Sequence, residues 1–380
     1  MIPRAVRLVV VLAVICMASV TDTALADRPL GLPPLPAAAH AAPELVDLGR
    51  KLFFDRRLSF NGTMSCAMCH VPEEGFTSNA SRTAVGMEGR SLSRNAPALY
   101  NLAWQRALFH DGREKSLVGQ VWSPLLNPDE MANPSVGHVL LRIRGLPDYN
   151  GEFEKLFGGQ GASRTRVGVA IAAFETTLVS GNSRFDRRWY GGEAAAMSEQ
   201  ELAGLELFRG KAGCVTCHII GARDALFSDG RYHITGAGSV AHAARFTVPL
   251  APGVSTVLSD AELGSFAVHE PPDLGRFQIT HKPEDRNAFK TPSLRNVSRS
   301  APYMHDGTLA TLEDVVEFYD RGGGAVAGKS ALLMSLGLSQ TDKRALVAFL
   351  KALDGDNIEG LVKTVRRNLP LELGGEAGEY

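Results

Sequence analysis

Apolar residues recur at helical spacing along much of this 380-residue chain. Val167, Ile171, Phe174 and Leu178 step by three to four residues, which puts them on one face of a helix. Ser198 and Glu201 form a capping box ahead of Leu202, Leu205 and Phe208. Thr311 can cap the segment from Leu312 to Tyr319, and Thr341 stands near the start of a helix carrying Leu346, Phe349, Leu350 and Leu353. No comparable block alternates with the period of a strand. Between Gly221 and Arg276 the chain is rich in Gly, Pro, Ala and Ser and loses its periodicity, so an irregular lobe is expected there. The pattern predicts a mainly α protein.

The pattern also repeats. The run GRKLFFDRRLSFNGTMSCAMCH at 49–70 and the run GLELFRGKAGCVTCH at 204–218 each set a Gly and an apolar-aromatic pair ahead of the same five-residue motif. Pro97-Ala98-Leu99-Tyr100-Asn101 leads to His110-Asp111-Gly112, and Pro292-Ser293-Leu294-Arg295-Asn296 leads by the same step to His305-Asp306-Gly307. Two homologous domains follow, 44–195 and 196–360, with a tail over 361–380.

The shared motif is CxxCH: Cys66, Cys69 and His70 in one domain, Cys214, Cys217 and His218 in the other. Paired thiols take thioether bonds to the vinyl groups of a haem c, and the adjacent imidazole reaches its iron. Half of a zinc site or a redox CxxC would also use paired cysteines. The two pairs lie far apart, however, and a redox dithiol has no need of a histidine after it in both copies. The fold expected is therefore two tandem cytochrome c-type domains, each with one covalent haem c.

The first residues carry Arg4 and Arg7, an apolar run and the small-x-small end Ala24-Leu25-Ala26. Residues 1–26 read as a secretory signal that takes the fifth cysteine, Cys16, with it. No later stretch supplies the roughly 20 apolar residues of a membrane helix. A soluble periplasmic protein without a membrane span is expected. Residues 27–43, rich in Pro and Ala, read as a flexible lead-in. With 40 basic and 41 acidic residues and no basic tract, the chain is a poor match for nucleic acid.

The repeat separates the two haems. Tyr319 follows His305 by a step that, taken from His110, lands on Pro124, which has no side-chain donor. The second iron thus has a candidate far-side ligand where the first has none, although Tyr319 shares a helical face with Leu312 and Val316 and also reads as a packed core tyrosine.

With Arg94-Asn95-Ala96-Pro97, Phe109-His110-Asp111-Gly112-Arg113, Asn127-Pro128-Asp129-Glu130-Met131, Phe289 to Asn296 and Ala301 to Gly307, the chain resembles the bacterial di-haem cytochrome c peroxidase/MauG family over nearly its whole length after the signal. The resemblance implies an N-terminal peroxidatic haem that meets hydrogen peroxide and a C-terminal haem that accepts electrons. It implies Glu130 and Gln120 as the catalytic pair at the open iron, Tyr319 as the second iron's ligand, and a calcium between the haems held by Asn95, Ser300 and Pro302. The family tyrosine ligand belongs to MauG; ordinary peroxidases have methionine there.

Some positions depart from the family. Met87 stands where many members carry a blocking histidine, and reads either as a sixth ligand or as a packing methionine. His110 replaces an inter-haem tryptophan, and Ala212 replaces MauG's surface tryptophan. Trp104 and Trp122 are hole carriers or plain core residues. Glu130 alone would read as an exposed loop carboxylate. The function expected is peroxide reduction with electrons from a small cytochrome c or cupredoxin. The alternatives are a MauG-like oxidase acting on a protein substrate and a non-catalytic electron-transfer cytochrome. Oligomeric state, a homodimer included, is left open.

Overall fold

A computed structural model describes residues 29–36, 39–238, 245–251, 254–259, 273–367 and 369. The signal segment at 1–26, with Cys16, and most of the tail lie outside the described residues. In chain order the helices are α1 Pro43–Phe54, α2 Cys66–Cys69, α3 Leu117–Gln120, α4 Trp122–Leu126, α5 Val136–Gly145, α6 Glu152–Leu156, α7 Arg164–Thr176, α8 Arg184–Trp189, α9 Glu199–Arg209, α10 Phe277–Thr280, α11 Leu312–Asp320, α12 Gln340–Lys351 and α13 Ile358–Arg366. The strands β1 Tyr232–His233 and β4 Phe289–Lys290 pair antiparallel, as do β2 Arg245–Ala251 and β3 Val254–Ser259.

The expected helices are present, although α7 ends at Thr176, short of Leu178. Ser198 and Glu201 close the box on α9, and Thr311 and Asp314 close one on α11. On α12 the cap is Ser339 with Asp342, two residues ahead of Thr341. The β2–β3 pair corrects the expectation of an irregular lobe across 221–276. Its signal was the short alternation Phe246-Thr247-Val248-Pro249-Leu250, too brief to stand out against the Gly and Pro around it.

Each half is built on one crossed helix pair. In the first, α1 packs on α7 so closely that a Cβ on Gly49 would sit 1.8 Å from the Ala170 carbonyl oxygen. In the second, α9 packs on α12, and a Cβ on Gly204 would sit 2.0 Å from the Ala345 oxygen. Phe53 lies against Phe174 with ring centroids 5.1 Å apart, and Phe208 against Phe349 at 5.0 Å. The repeated glycine and aromatic are therefore the contact of the pair itself. The halves meet through their repeated His-Asp-Gly turns. Gly112 at φ +68° abuts Tyr232 of the second half, and Gly307 at φ +66° abuts the Arg82 backbone of the first. A side chain at either would meet both a left-handed backbone and the opposite half.

Two segments behave differently from the sequence reading. The lead-in is extended but pinned: Leu32 is fully buried, and the Gly31 carbonyl accepts from Arg295 Nη2 (2.6 Å) and from the Ala225 N–H (3.0 Å). Arg295 itself clasps the buried carboxylate of Asp186. The Pro34 carbonyl takes the Trp104 indole N–H (3.0 Å), so this strap ties one half to the other. Helix α13, drawn across the border of second domain and tail, instead returns to the first half, where Ile358 and Val365 join the core around α1 and α7. Neither partner was visible locally, because both contacts are long-range.

Candidate functional site

α1 delivers the chain to α2, a single helical turn that sets Cys66 and Cys69 three residues apart on one face. The next residue, His70, leaves the helix and donates Nδ1–H to the Phe76 carbonyl at 3.0 Å. In the second half Cys214 opens a 3-10 turn, and His218 donates Nδ1–H to the Phe227 carbonyl at 2.8 Å. Each bond fixes a tautomer that leaves Nε2 with a free lone pair, the arrangement a metal-ligating imidazole requires. Burial holds both imidazoles below their ordinary pKa and hence neutral. Phe53 and Phe208 flank the two rings at the same 6.5 Å centroid distance. All four thiols are free of disulfides, and burial pushes Cys214 up to about 12. Paired thiols, an oriented imidazole and an apolar floor fit a haem c in both halves.

The first site opens into a cavity that is partly open to solvent. Gln120, the last residue of α3, and Glu130, from the loop after α4, line it together with Cys66, Cys69 and His70. Glu130 is half-buried and accepts a hydrogen bond from Asn127 Nδ2 at 2.7 Å. Burial raises its pKa, against the pull of that bond and of Arg113. Its charge is felt at Cys69, whose thiol burial and Glu130 together push up to about 12. An exposed loop carboxylate is therefore the wrong description. Pro124 lines the same cavity, and Met64 and Met131 complete its wall.

Met87 is 3% exposed and packs in the first core; it is not among the residues lining the cavity. Its N–H is held by the carbonyls of Asp129 (3.1 Å) and Glu130 (3.0 Å), so Met87 braces the loop that presents Glu130. Gly86 allows that approach, since a Cβ there would lie 1.9 Å from the Asp129 oxygen.

Tyr319 is the penultimate residue of α11. Burial first, then the thiols of Cys214 and Cys217, push its phenol above the ordinary value, so the ring shares the buried space of the second CxxCH. Tyr319 thus lies near the second motif, and Pro124 lines the cavity at the first.

Between the halves lie the residues expected around calcium. Asn95 is buried, its N–H on the His305 carbonyl (2.7 Å) and its Nδ2 on the Pro302 carbonyl (2.6 Å), while its Oδ1 has no partner. A buried amide oxygen without a donor is costly. Turning the amide over and setting a cation between Oδ1 and the Pro302 oxygen would satisfy both, which fits an oxygen-liganded calcium. Ser300 holds the turn before Pro302, its N–H and hydroxyl both on the Val297 carbonyl. His110 donates Nε2–H to the Asn95 carbonyl at 2.9 Å and is held down to about 4 by burial, so it is a neutral bracket of this junction.

Trp122 is buried and bonded to the Arg164 carbonyl (3.2 Å), and Ala212 is buried. Sequence reasoning passed over Glu175, a 5% exposed carboxyl that lines the first cavity. The available signal was its place in the repeat: Ala173-Phe174-Glu175 aligns with Ala348-Phe349-Leu350.

A family model described as di-haem cytochrome c peroxidase matches residues 43–195. A cytochrome-c peroxidase, IdrP1, of Denitromonas iodatirespirans is 36% identical over 361 residues, covering 92% of this chain and 93% of the relative. The methylamine utilization protein MauG of Methylorubrum extorquens is 38% identical over 324 residues, 85% of this chain and 82% of that one. Among solved structures, a MauG-like protein associated with microbial copper homeostasis superposes with a TM-score of 0.70 at 31% identity, covering 87% of this chain and 96% of the other.

Proposed function

We propose that this chain, which belongs to the di-haem cytochrome c peroxidase/MauG family, reduces hydrogen peroxide to water in its first half with electrons received in its second. Within that family the chain is a di-haem oxidoreductase with a mainly helical fold. The observation that carries the finer reading is the first cavity. A carboxyl of raised pKa and an amide face the same space as His70, at the site whose counterpart of Tyr319 is a proline.

The residues divide the work as follows. Cys66 and Cys69 hold the first haem by thioether bonds, Cys214 and Cys217 the second, and His70 and His218 offer Nε2 to the irons. The haem, when bound, supplies the iron at which the peroxide O–O bond is cleaved. Glu130 takes the proton from the near oxygen of peroxide and returns it to the far one, so that water departs. Burial raises its pKa, which eases the return of the proton to the far oxygen. Gln120 orients peroxide by hydrogen bonding, and the apolar wall limits stray water. Asn95, with the carbonyls of Ser300 and Pro302, holds a calcium that fixes the junction of the halves. A small periplasmic cytochrome c or cupredoxin is the electron donor. Among the described residues no helix is long and apolar enough to cross a membrane.

Tyr319 favours a second reading. A phenolate donor stabilises ferric iron and makes the second site a poor acceptor from ordinary cytochromes, as a MauG-like oxidase of a partner protein would need. Paired turnover assays with peroxide decide between them, one with reduced small cytochromes and one with candidate periplasmic proteins. Rapid cytochrome oxidation is expected. Site-specific modification of one protein with poor cytochrome turnover would overturn the peroxidase reading in favour of the oxidase. Two fully ligated haems inert to peroxide in every redox state would sink both.

A further inference from the structure

The crossed helix pair recurs in both halves down to its glycine, its alanine carbonyl and its phenylalanine, and the residue after that phenylalanine differs in kind. In the second half it is Leu350, packed in the core. In the first it is Glu175, equally buried. Its Oε2 is buried without a hydrogen-bond partner among the described residues, on the wall of the partly open first cavity. An unpartnered buried carboxyl is unfavourable, and ionising it in place is worse. Burial alone pushes Glu175 up to about 8, so it is neutral at neutral pH. Nothing in the peroxide chemistry above uses it.

Its surroundings say what could draw the proton off. No Lys or Arg lines the first cavity. On α1, Glu44 and Asp47 are exposed, Arg50 is bonded to Asp47 and the Val365 carbonyl, and Lys51 is paired with Asp148. Also packed against α7 are α3 and the turn Leu102–Trp104, neither of which carries a charged side chain. The titratable groups facing the same space are Cys66 and Cys69, which become thioethers, His70, whose Nδ1–H is tied to Phe76, and Glu130, tied to Asn127. Of these, the Glu175 charge acts most on Cys66, the first attachment point of the haem. Among the described residues no cation lines this space, so a positive charge developing beside Glu175 would be on the haem that Cys66 would hold.

We infer that Glu175 is a positioning residue that exchanges a proton with solvent to balance the charge of the first haem, a device the second haem lacks. This rests on the reading of Cys66, Cys69 and His70 as a haem site. In a redox titration a mediator dye would take one electron from the haem that Cys66 would hold, while Glu175 gives one proton to water. Re-reduction takes back one electron and one proton. The first haem's potential then falls as pH rises, because the deprotonated carboxylate favours the oxidised iron.

The test is a spectroelectrochemical titration of the two-haem protein between pH 6 and 9, following each haem by its own bands, in the wild type, E175Q and E175L. Haem content is counted first by a pyridine haemochrome assay, and fewer than two haems in the wild type would overturn the haem reading and this inference with it. With two haems present, the wild-type first haem is expected to lose potential with rising pH. The slope should fall by at least half in both variants, while the second haem is unchanged. A first-haem slope that survives in E175Q, or a wild-type first haem with no slope, would overturn the inference and leave the haem reading intact. The near-isosteric E175Q keeps the comparison valid if E175L folds poorly.

Discussion

The two halves of this molecule differ least where they fold and most where they act. Each presents its histidine on a backbone carbonyl, flanks it with a phenylalanine and closes one helix on another over a glycine. Against that shared frame stand Pro124 against Tyr319 and Glu175 against Leu350. Glu130, in the loop after α4, is a third feature of the first site. The first cavity holds two carboxyls with raised pKa, whereas a phenol shares the second CxxCH's space. A duplicated scaffold thus tolerates changes that leave the helix pair alone. The side chains that differ stand around the two CxxCH motifs, and the helix pair is otherwise alike in both halves.

The largest expected effect falls on Glu130. Replacing it with Gln should slow peroxide-driven oxidation by roughly 10²–10⁴-fold, the scale of a positioned proton-transfer group, and leave the second half's spectrum as it was. In the proposed role the base form of Glu130 is needed, and burial raises its pKa. The wild-type rate should therefore fall as pH drops through that raised value, at a higher pH than an ordinary surface carboxylate would show. The variant should lack this limb. Stopped-flow traces across pH read both; a wild-type rate in E130Q would remove Glu130 from the chemistry.

The mirror-image change is Tyr319→Met, which should raise the second haem's potential and alter its spectrum while the first haem keeps both. Axial ligands set haem potentials over about 0.8 V, so the shift should be plain in a redox titration. An unchanged second haem would take Tyr319 out of the coordination sphere and erase the sharpest difference between the halves.

The shared frame can be tested by breaking it twice. Gly49→Ala and Gly204→Ala each push a methyl into a carbonyl oxygen across the helix pair. Overpacking of this kind costs about 1–3 kcal/mol, more than the roughly 1 kcal/mol by which Ala outdoes Gly in a helix. Both variants should lose stability to chemical denaturation by similar amounts. A stabilised variant, or a loss in one half only, would deny that the two pairs are the same device.

Much of this frame was legible in the chain because its signals are local. The CxxCH turns, the capping residues Ser198 and Thr311, and the matched Pro-to-His steps all lie within short windows. Pro124 and Tyr319 could be paired because the repeat keeps its register. What escaped depends on residues far apart in sequence. Leu32 is buried in a segment whose carbonyls are held by Arg295, Ala225 and Trp104, all far away in sequence. Glu175 looks like any helical glutamate until α1, α2 and α3 close around it. Helix α13 has an amphipathic pattern but no mark of which half it will join.

That last helix offers the smallest effect, and a test of how far the second half's chain end serves the first. Arg366 on α13 makes two bonds to Glu73, at 2.8 and 2.7 Å, and its guanidinium lies 5.3 Å from the centre of the Phe54 ring. Both partners are partly exposed, so the pair is worth about 0.2–1 kcal/mol, and Arg366→Ala should lower the melting temperature by only a degree or two. Its pH dependence has a definite sign. Arg366 holds the Glu73 pKa below its ordinary value, so the stabilisation is present at neutral pH and is lost as pH falls through that lowered value. The wild type and the variant should therefore differ at pH 7 and converge in acid. A difference that persists in acid would assign the effect of Arg366 to its packing over Phe54 instead of to its charge.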